Sequence, residues 1–325
     1  MMHLLRAAVL VALAVAGPAL ADPLPSWNAG PAKARIIAFV EAVTTPGGAE
    51  YVIPEERIAV FDNDGTLWAE QPVYFQLLFA MDRIAGMAKA DPSILTSEAL
   101  KAAAKGDVKA ALAGGEEAII EIVKASHSGL SVASFQAEVA KWLESARHHT
   151  TGKRYDEMVY QPMLELLSYL RDEGFSTYIV SGGGIHFMRA FAERVYGIPP
   201  EQVIGSVGKS SYQVIDGKPV IMKDPGIAFI DDKEGKPVAI DAKIGKRPIL
   251  VGGNSDGDFQ MLEWATAGSG PRLGMIVHHT DAKREWAYDR DSHVGRLARG
   301  LDEAPDRGWL IIDMKTDWAR VFPEE

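Results

Sequence analysis

Short apolar runs and longer helical stripes alternate along this chain. Residues 31–43 place Ile36, Ile37, Val40 and Val43 on one face of a predicted helix. Residues 57–61 form a brief apolar run that stops at Asp62-Asn63-Asp64-Gly65-Thr66, as a buried parallel strand does when it delivers a polar loop at its carboxyl end. From 72 to 152 the pattern is helical, rich in Ala, Lys and Glu and broken at Asp91-Pro92, Gly106-Asp107 and Gly114-Gly115, which predicts an all-helical insertion. Strand and helix then alternate again. A helix over 155–171 carries Met158, Met163, Leu166, Leu167 and Leu170 and closes at Gly174. A strand over 176–180 runs into Ser181-Gly182-Gly183-Gly184 and a helix beginning near Ile185. Another over 248–251 runs into Gly252-Gly253-Asn254-Ser255-Asp256-Gly257-Asp258 and a helix over 259–265. Residues 273–277 and 310–312 predict further strands, and 211–230 an antiparallel hairpin appended to the core. The rhythm predicts an α/β fold: a doubly wound parallel sheet formed by 22–71 and 153–325, with the helical insertion of 72–152 after its first strand.

Composition narrows the chemistry. The 325 residues, 47% hydrophobic and 24% charged, are those of an ordinary globular chain long enough for one large domain with an insertion. With 34 Lys plus Arg against 44 Asp plus Glu, a net charge of −10 and no dense basic run, nucleic acid and anionic membranes are not expected partners. The absence of Cys removes disulfides, thiolate nucleophiles and Cys-based zinc sites, so the chemistry must run on oxygen and nitrogen. At the amino terminus, Arg6, an apolar stretch over 7–16, Gly17-Pro18 and Ala19-Leu20-Ala21 have the layout of a secretory signal cleaved after Ala21. The stretch falls short of the ~20 residues of a spanning helix. The expectation is a secreted product, periplasmic in a Gram-negative source.

In open α/β sheets, sites form beyond the carboxyl ends of the strands, so three strand ends loaded with Asp, Ser, Asn and Gly converge on one crevice. Asp62 and Asp64, two apart on a tight turn, suit a nucleophile beside a general acid and base. An Asx turn ending a strand would use the same residues.

The chain resembles the haloacid dehalogenase superfamily, specifically phosphatases of the phosphoserine phosphatase type with a helical (C1-type) cap. The resemblance rests on four ordered motifs: Val60-Phe61-Asp62-Asn63-Asp64-Gly65-Thr66-Leu67; Ile179-Val180-Ser181-Gly182-Gly183; Lys236 before an apolar helix; and Gly253-Asn254-Ser255-Asp256-Gly257-Asp258. It implies that Asp62 attacks phosphorus to form an aspartyl phosphate and that Asp64 protonates the leaving group and then activates water. Ser181, Gly182 and Thr66 would contact the phosphoryl oxygens, and Lys236 would offset charge on nucleophile and phosphate. It also implies Mg²⁺ held by oxygen ligands from Asp62, Asp64 and the fourth motif. There the sequence departs from the family, because Asn254 stands where the metal Asp is usual; Asp256 and Asp258 are the alternatives. Lys243 is the rival of Lys236.

Glu70, Gln71 and His186 are candidate substrate contacts, while Trp68, Tyr74 and Phe75 suit either a pocket wall or a hinge between insertion and core. Gly208-Lys209-Ser210 lacks the first Gly of a nucleotide-binding loop. The pairs His148-His149 and His278-His279 would point to opposite faces of an extended chain, which does not suit a metal site. The expected function is hydrolysis of a small phosphate ester, with a non-catalytic ligand- or phosphate-binding protein of the same fold as the alternative.

Overall fold

The first strand, β1 (Ile58–Phe61), is buried along its whole length because its side chains alternate between two apolar layers. Ala59 and Phe61 enter one layer, Ile58 and Val60 the other. The computed structural model describes residues 22–323; the signal-like stretch ending at Ala21 lies outside the described residues.

Beside β1 stand β2 (Ser176–Gly184), β3 (Val203–Ile215), β4 (Lys218–Phe229), β5 (Leu250–Gly253), β6 (Leu273–His278) and β7 (Leu310–Asp313). They form a seven-stranded sheet in the order β4-β3-β2-β1-β5-β6-β7, parallel except for the β3–β4 pair. Val60 lies opposite Tyr178 on one side and Val251 on the other. The chain winds outward from β1 through β2 to β3, then crosses back to β5 and winds the other way. The direction reverses beside β1, where a doubly wound sheet leaves a crevice at its carboxyl edge.

The helix α1 (Pro31–Thr44) buries Ala32, Ile36, Val40 and Val43 and leaves Ile37 half-buried. Between β1 and β2 come α2 (Phe75–Ala90), α3 (Glu98–Ala104), α4 (Val108–Ala111), α5 (Glu116–His127), α6 (Val132–Ser145) and α7 (Gln161–Asp172). Ser97, Asp107 and Ser131 each accept a backbone N–H at the start of α3, α4 and α6. Met81, Ile84, Leu100 and Ile122 form an apolar cluster within these helices, while Phe135, Val139 and Leu143 of α6 join the layer against the sheet.

Three elements differ from the sequence pattern. Helix α7 starts at Gln161, later than the expected 155, because Pro162 lacks an N–H and is tolerated only in a first turn. The expected helix after the glycine loop is two short ones, α8 (Ile185–Met188) and α9 (Ala192–Tyr196); between them Phe191 leaves helical geometry and stacks its ring 4.6 Å from Trp68. The hairpin begins at Val203, before the expected 211, since the first residues of β3 pair with β2. Its turn, Asp216-Gly217, has φ of +50° and +74°, as a two-residue hairpin turn requires. From the sheet edge the hairpin reaches the inserted helices, where Gly129 N donates to Lys223 O at 2.9 Å and Lys223 N to Leu130 O at 2.8 Å.

The remaining helices are α10 (Gly235–Ile244), α11 (Phe259–Thr266), α12 (Arg299–Arg307) and α13 (Met314–Asp317). Among the described residues no helix is long and apolar enough to cross a membrane.

Candidate active site

Asp62 leaves β1 still in register with β5, its N–H donating to Gly252 O at 3.0 Å. The chain then turns sharply: Asn63 O accepts the N–H groups of Thr66, Leu67 and Trp68 at 3.1, 2.8 and 3.2 Å. Gly65 has φ +73°, and a Cβ there would sit 2.0 Å from Asn254 Nδ2 and 2.4 Å from Glu70 Oε1, so only glycine fits. His279 Nε2 donates to Gly65 O at 2.8 Å and its Nδ1 lies 3.1 Å from Glu285, which makes this histidine a brace of the loop.

Asp62 is buried, with Oδ1 2.9 Å from Lys236 Nζ. That contact is not aligned as a hydrogen bond, and Oδ1 is left without a donor. Lys236, from the first turn of α10, also donates to Asp258 Oδ1 at 2.5 Å and to Val180 O at 3.1 Å. Burial alone would lower its pKa, but Asp258 and Asp62 hold it well above the ordinary lysine value. Lys243 is exposed on the last turn of the same helix, so Lys236 is the lysine at the site.

Burial pushes the Asp62 carboxyl up to about 8, helped by the negative charge of Asp258 and opposed by Lys236. Burial also raises Asp64, against the hydrogen bond that Trp68 Nε1 donates to its Oδ1 at 2.8 Å. Glu70 is raised well above its ordinary value, again by burial, although Tyr288 Oη donates to Oε1 at 2.7 Å. Asp231 is pushed up to about 7 by burial, and both its carboxylate oxygens lack a hydrogen-bond donor.

A cavity of about 410 Å³ opens above these groups. Asp62, Asp64, Glu70, Ser181, Gly182 and Lys236 are on its wall, together with His186 and Tyr74. Ser181 Oγ accepts the Gly183 N–H at 3.1 Å, and Gln76 Oε1 accepts that of Gly184 at 2.7 Å.

Other expected site residues are occupied elsewhere. Thr66 is fully buried and its hydroxyl donates to Asn254 Oδ1 at 3.0 Å, so it braces the loop and does not reach the cavity to bind phosphate. Gln71 Nε2 donates to Ser292 Oγ and Val294 O at 3.3 and 3.1 Å, which turns it away from any substrate. The carboxylate of Asp256 accepts the N–H groups of Ala298, Arg299 and Gly300 at the start of α12, so here it caps a helix. Asp258 is engaged on both oxygens. Its Oδ1 is taken by Lys236, and its Oδ2 accepts from Asn254 N, Ser255 N and Ser255 Oγ. Trp68 and Phe75 are buried edge-on 5.0 Å apart and pack the junction of insertion and sheet. His148 is buried with Nε2 donating to Gln71 O, while His149 is exposed, so the pair does face opposite ways.

Among the described residues no three His, Asp or Glu side chains form a ready metal cluster. The site does fit a hard cation on other grounds. Asp62, Asp64, Asp231 and Asp258 lie around one lysine, buried oxygens of Asp62 and Asp231 lack donors, and burial raises the carboxyls of Asp62, Asp64, Glu70 and Asp231, so a cation would relieve the cost of their ionised forms. Asn254 donates to Glu70 at 2.7 Å and its Oδ1 accepts only Thr66, which leaves that oxygen a second lone pair.

A family profile described as haloacid dehalogenase-like hydrolase matches residues 59–263, from β1 into α11. The chain belongs to this hydrolase family. No curated protein matches it. Solved structures similar to it include a conserved protein of unknown function from Anaerococcus prevotii, at 16% identity and TM-score 0.49 over 77% of this chain and 86% of that one. A protein of unknown function from Bordetella pertussis has 17% identity and TM-score 0.47 over 80% and 99%. A phosphoserine phosphohydrolase-like protein from Francisella tularensis has 16% identity and TM-score 0.39 over 77% and 98%. Sequence reading missed Gln76, Lys223 and Tyr288 and weighed His279 only as a metal candidate; all four stand in no motif and reach the site only through the fold.

Proposed function

We propose that this hydrolase is a Mg²⁺-dependent phosphomonoesterase that cleaves a small phosphorylated metabolite through an aspartyl phosphate on Asp62. The observation that carries the reading is the buried Asp62–Lys236 pair, 2.9 Å apart, on the floor of a cavity with Asp64 beside it. Asp62, in its ionised form opposite the Lys236 ammonium, attacks phosphorus and the bond from phosphorus to the leaving oxygen breaks, while a protonated Asp64 gives its proton to that oxygen. In the second half, Asp64 takes a proton from water as the water attacks phosphorus. The bond to Asp62 then breaks and inorganic phosphate leaves.

Lys236 stays protonated throughout and balances the charge on Asp62 and on the phosphoryl oxygens. The Ser181 hydroxyl, on the cavity wall, is a donor for the same oxygens. Asp62, the Asp64 carbonyl and Asn254 Oδ1 are the oxygens that would hold Mg²⁺, which when bound supplies positive charge to the phosphoryl group. Residues 72–152 act as a cap over the site, and the amino-terminal 21 residues direct export. Amino-terminal sequencing of the periplasmic product should begin at Asp22.

The deciding experiment measures phosphate release from a panel of phosphate esters, with and without Mg²⁺, for the wild type and Asp62→Asn. Mg²⁺-dependent release abolished by the substitution is expected. Release that survives it, or no release from any ester, overturns the reading; binding of esters without turnover would favour a ligand-binding protein.

A further inference from the structure

The wall of the same cavity holds a lysine that the proposed chemistry does not use. Lys223 comes from β4, and its backbone is fixed on both sides by the hydrogen bonds with Gly129 and Leu130 of the inserted segment. Its side chain is carried onto the cavity wall although the residue is only 6% exposed. Among the described residues no carboxylate pairs with it. Its ammonium contacts are His186 Nδ1 at 3.2 Å and the ring of Phe135, 4.4 Å to the centroid. The neighbouring carboxylate, Asp224, is engaged with Ser211 Oγ at 3.1 Å.

An ammonium has three N–H donors and no acceptor, so His186 Nδ1 must accept, and two donors remain for the cavity. Burial brings Lys223 down to about 8 and His186 to about 4; a neutral imidazole is the form that can accept. His127 competes for nothing here. It accepts from Gln76 Nε2 at 2.9 Å and donates to Ser126 Oγ at 2.7 Å. A lysine this buried is ordinarily paired with an acid. Leu77, Val123, Phe135, Ile185 and Ile227 give the same cavity an apolar share of its wall. At roughly 30 Å³ per water, the cavity has room for far more than a phosphoryl group.

We propose that Lys223 is a specificity-determining residue that binds a second anionic group, a carboxylate or a phosphate, at the far end of an apolar spacer on the leaving-group side of the substrate. This rests on the phosphatase reading for its orientation: phosphoryl group at Asp62, anionic tail at Lys223. His186 is a positioning residue that holds the ammonium toward the cavity.

The test compares n-alkyl phosphates, ω-carboxyalkyl phosphates and α,ω-alkanediol bisphosphates of two to six carbons. At the chain length that spans the cavity, one of the charged tails should raise kcat/KM over the alkyl ester by about tenfold or more, the scale of a hydrogen bond to a charged group, chiefly through KM. The carboxylate and bisphosphate arms show which anion is preferred. In Lys223→Met the ratio of charged to neutral ester should collapse toward one, and in Lys223→Arg much of it should return. Because the ratio is taken within one variant, a general loss of folded protein cancels, and Lys223→Gln is read in the same way. No preference at any length, or a preference that survives Lys223→Met, overturns the proposal. If no ester is hydrolysed, the phosphatase reading fails separately. Calorimetry with alkylphosphonates and ω-carboxyalkylphosphonates then decides: tighter binding of the charged tail, lost in Lys223→Met, supports the subsite, and equal binding overturns it.

Discussion

At the strand ends of the cavity, Lys236 is surrounded by acceptors, with Asp62, Asp258 and Val180 O around one ammonium. Elsewhere on the cavity wall, Lys223 has a single imidazole nitrogen and an aromatic face. Both lysines are buried, yet neighbouring acids hold the first well above its ordinary pKa while burial alone brings the second down to about 8. The difference separates two uses of a buried charge. One held between neighbouring acids keeps its charge and fixes geometry, whereas one with no acid beside it is available to an anionic ligand.

The sharpest way to break this comparison is at Asp62. Asp62→Asn should lower kcat by about 10⁴-fold or more, with the circular dichroism spectrum unchanged. Asp64→Asn should cost about 10²–10⁴-fold on alkyl esters and distinctly less on aryl esters, whose leaving groups need no proton; equal losses on both would remove Asp64 as the acid. Lys236→Met leaves Asp62 and Asp258 facing each other without a cation, and should lower stability by about 3–5 kcal/mol in urea unfolding.

A smaller effect sharpens the electrostatics. Asp62 has a folded pKa of about 8 against an ordinary 3.8, so the folded protein keeps a proton that the unfolded chain loses in between. Its stabilisation is complete below about pH 4 and lost as pH rises through 8. In chelator, the melting temperature should therefore fall over this window, and Asp62→Asn should raise it at pH 8 by about 3 °C or more. Mg²⁺ should do the same for the wild type by favouring the charged carboxylate. The smallest effect expected is that of Asp256→Ala, which removes the acceptor for three N–H groups of α12. It should cost about 0.5–2 kcal/mol and leave the Mg²⁺ concentration for half-activation unchanged; a shift in that concentration would return Asp256 to the metal.

The α/β alternation, β1 with its Asp62-Asn63-Asp64-Gly65 turn and the lysine before α10 were all legible in the sequence, because strand period and loop chemistry act over a few neighbouring residues. Where the expectation failed, the cause was a partner far along the chain. Thr66 lost its place at the phosphate to Asn254, Gln71 turned to Ser292 and Val294, and Asp256 and Asp258 went to α12 and Lys236. Helix α7 started late for a local reason, Pro162, which was readable but outweighed by the apolar stripe.

By itself, then, the sequence determined which residues stand at the ends of β1, β2 and β5, since apolar period and turn chemistry set them locally. The tertiary structure alone decided which of those oxygens remain free, because a polar side chain bonds whatever neighbour the fold brings within 3 Å, however distant in the chain. It also set Lys223, 161 residues after Asp62 in the chain, on the wall of the same cavity. No local pattern marks that lysine; a hairpin from the sheet edge, pinned to the loop after α5, puts it there.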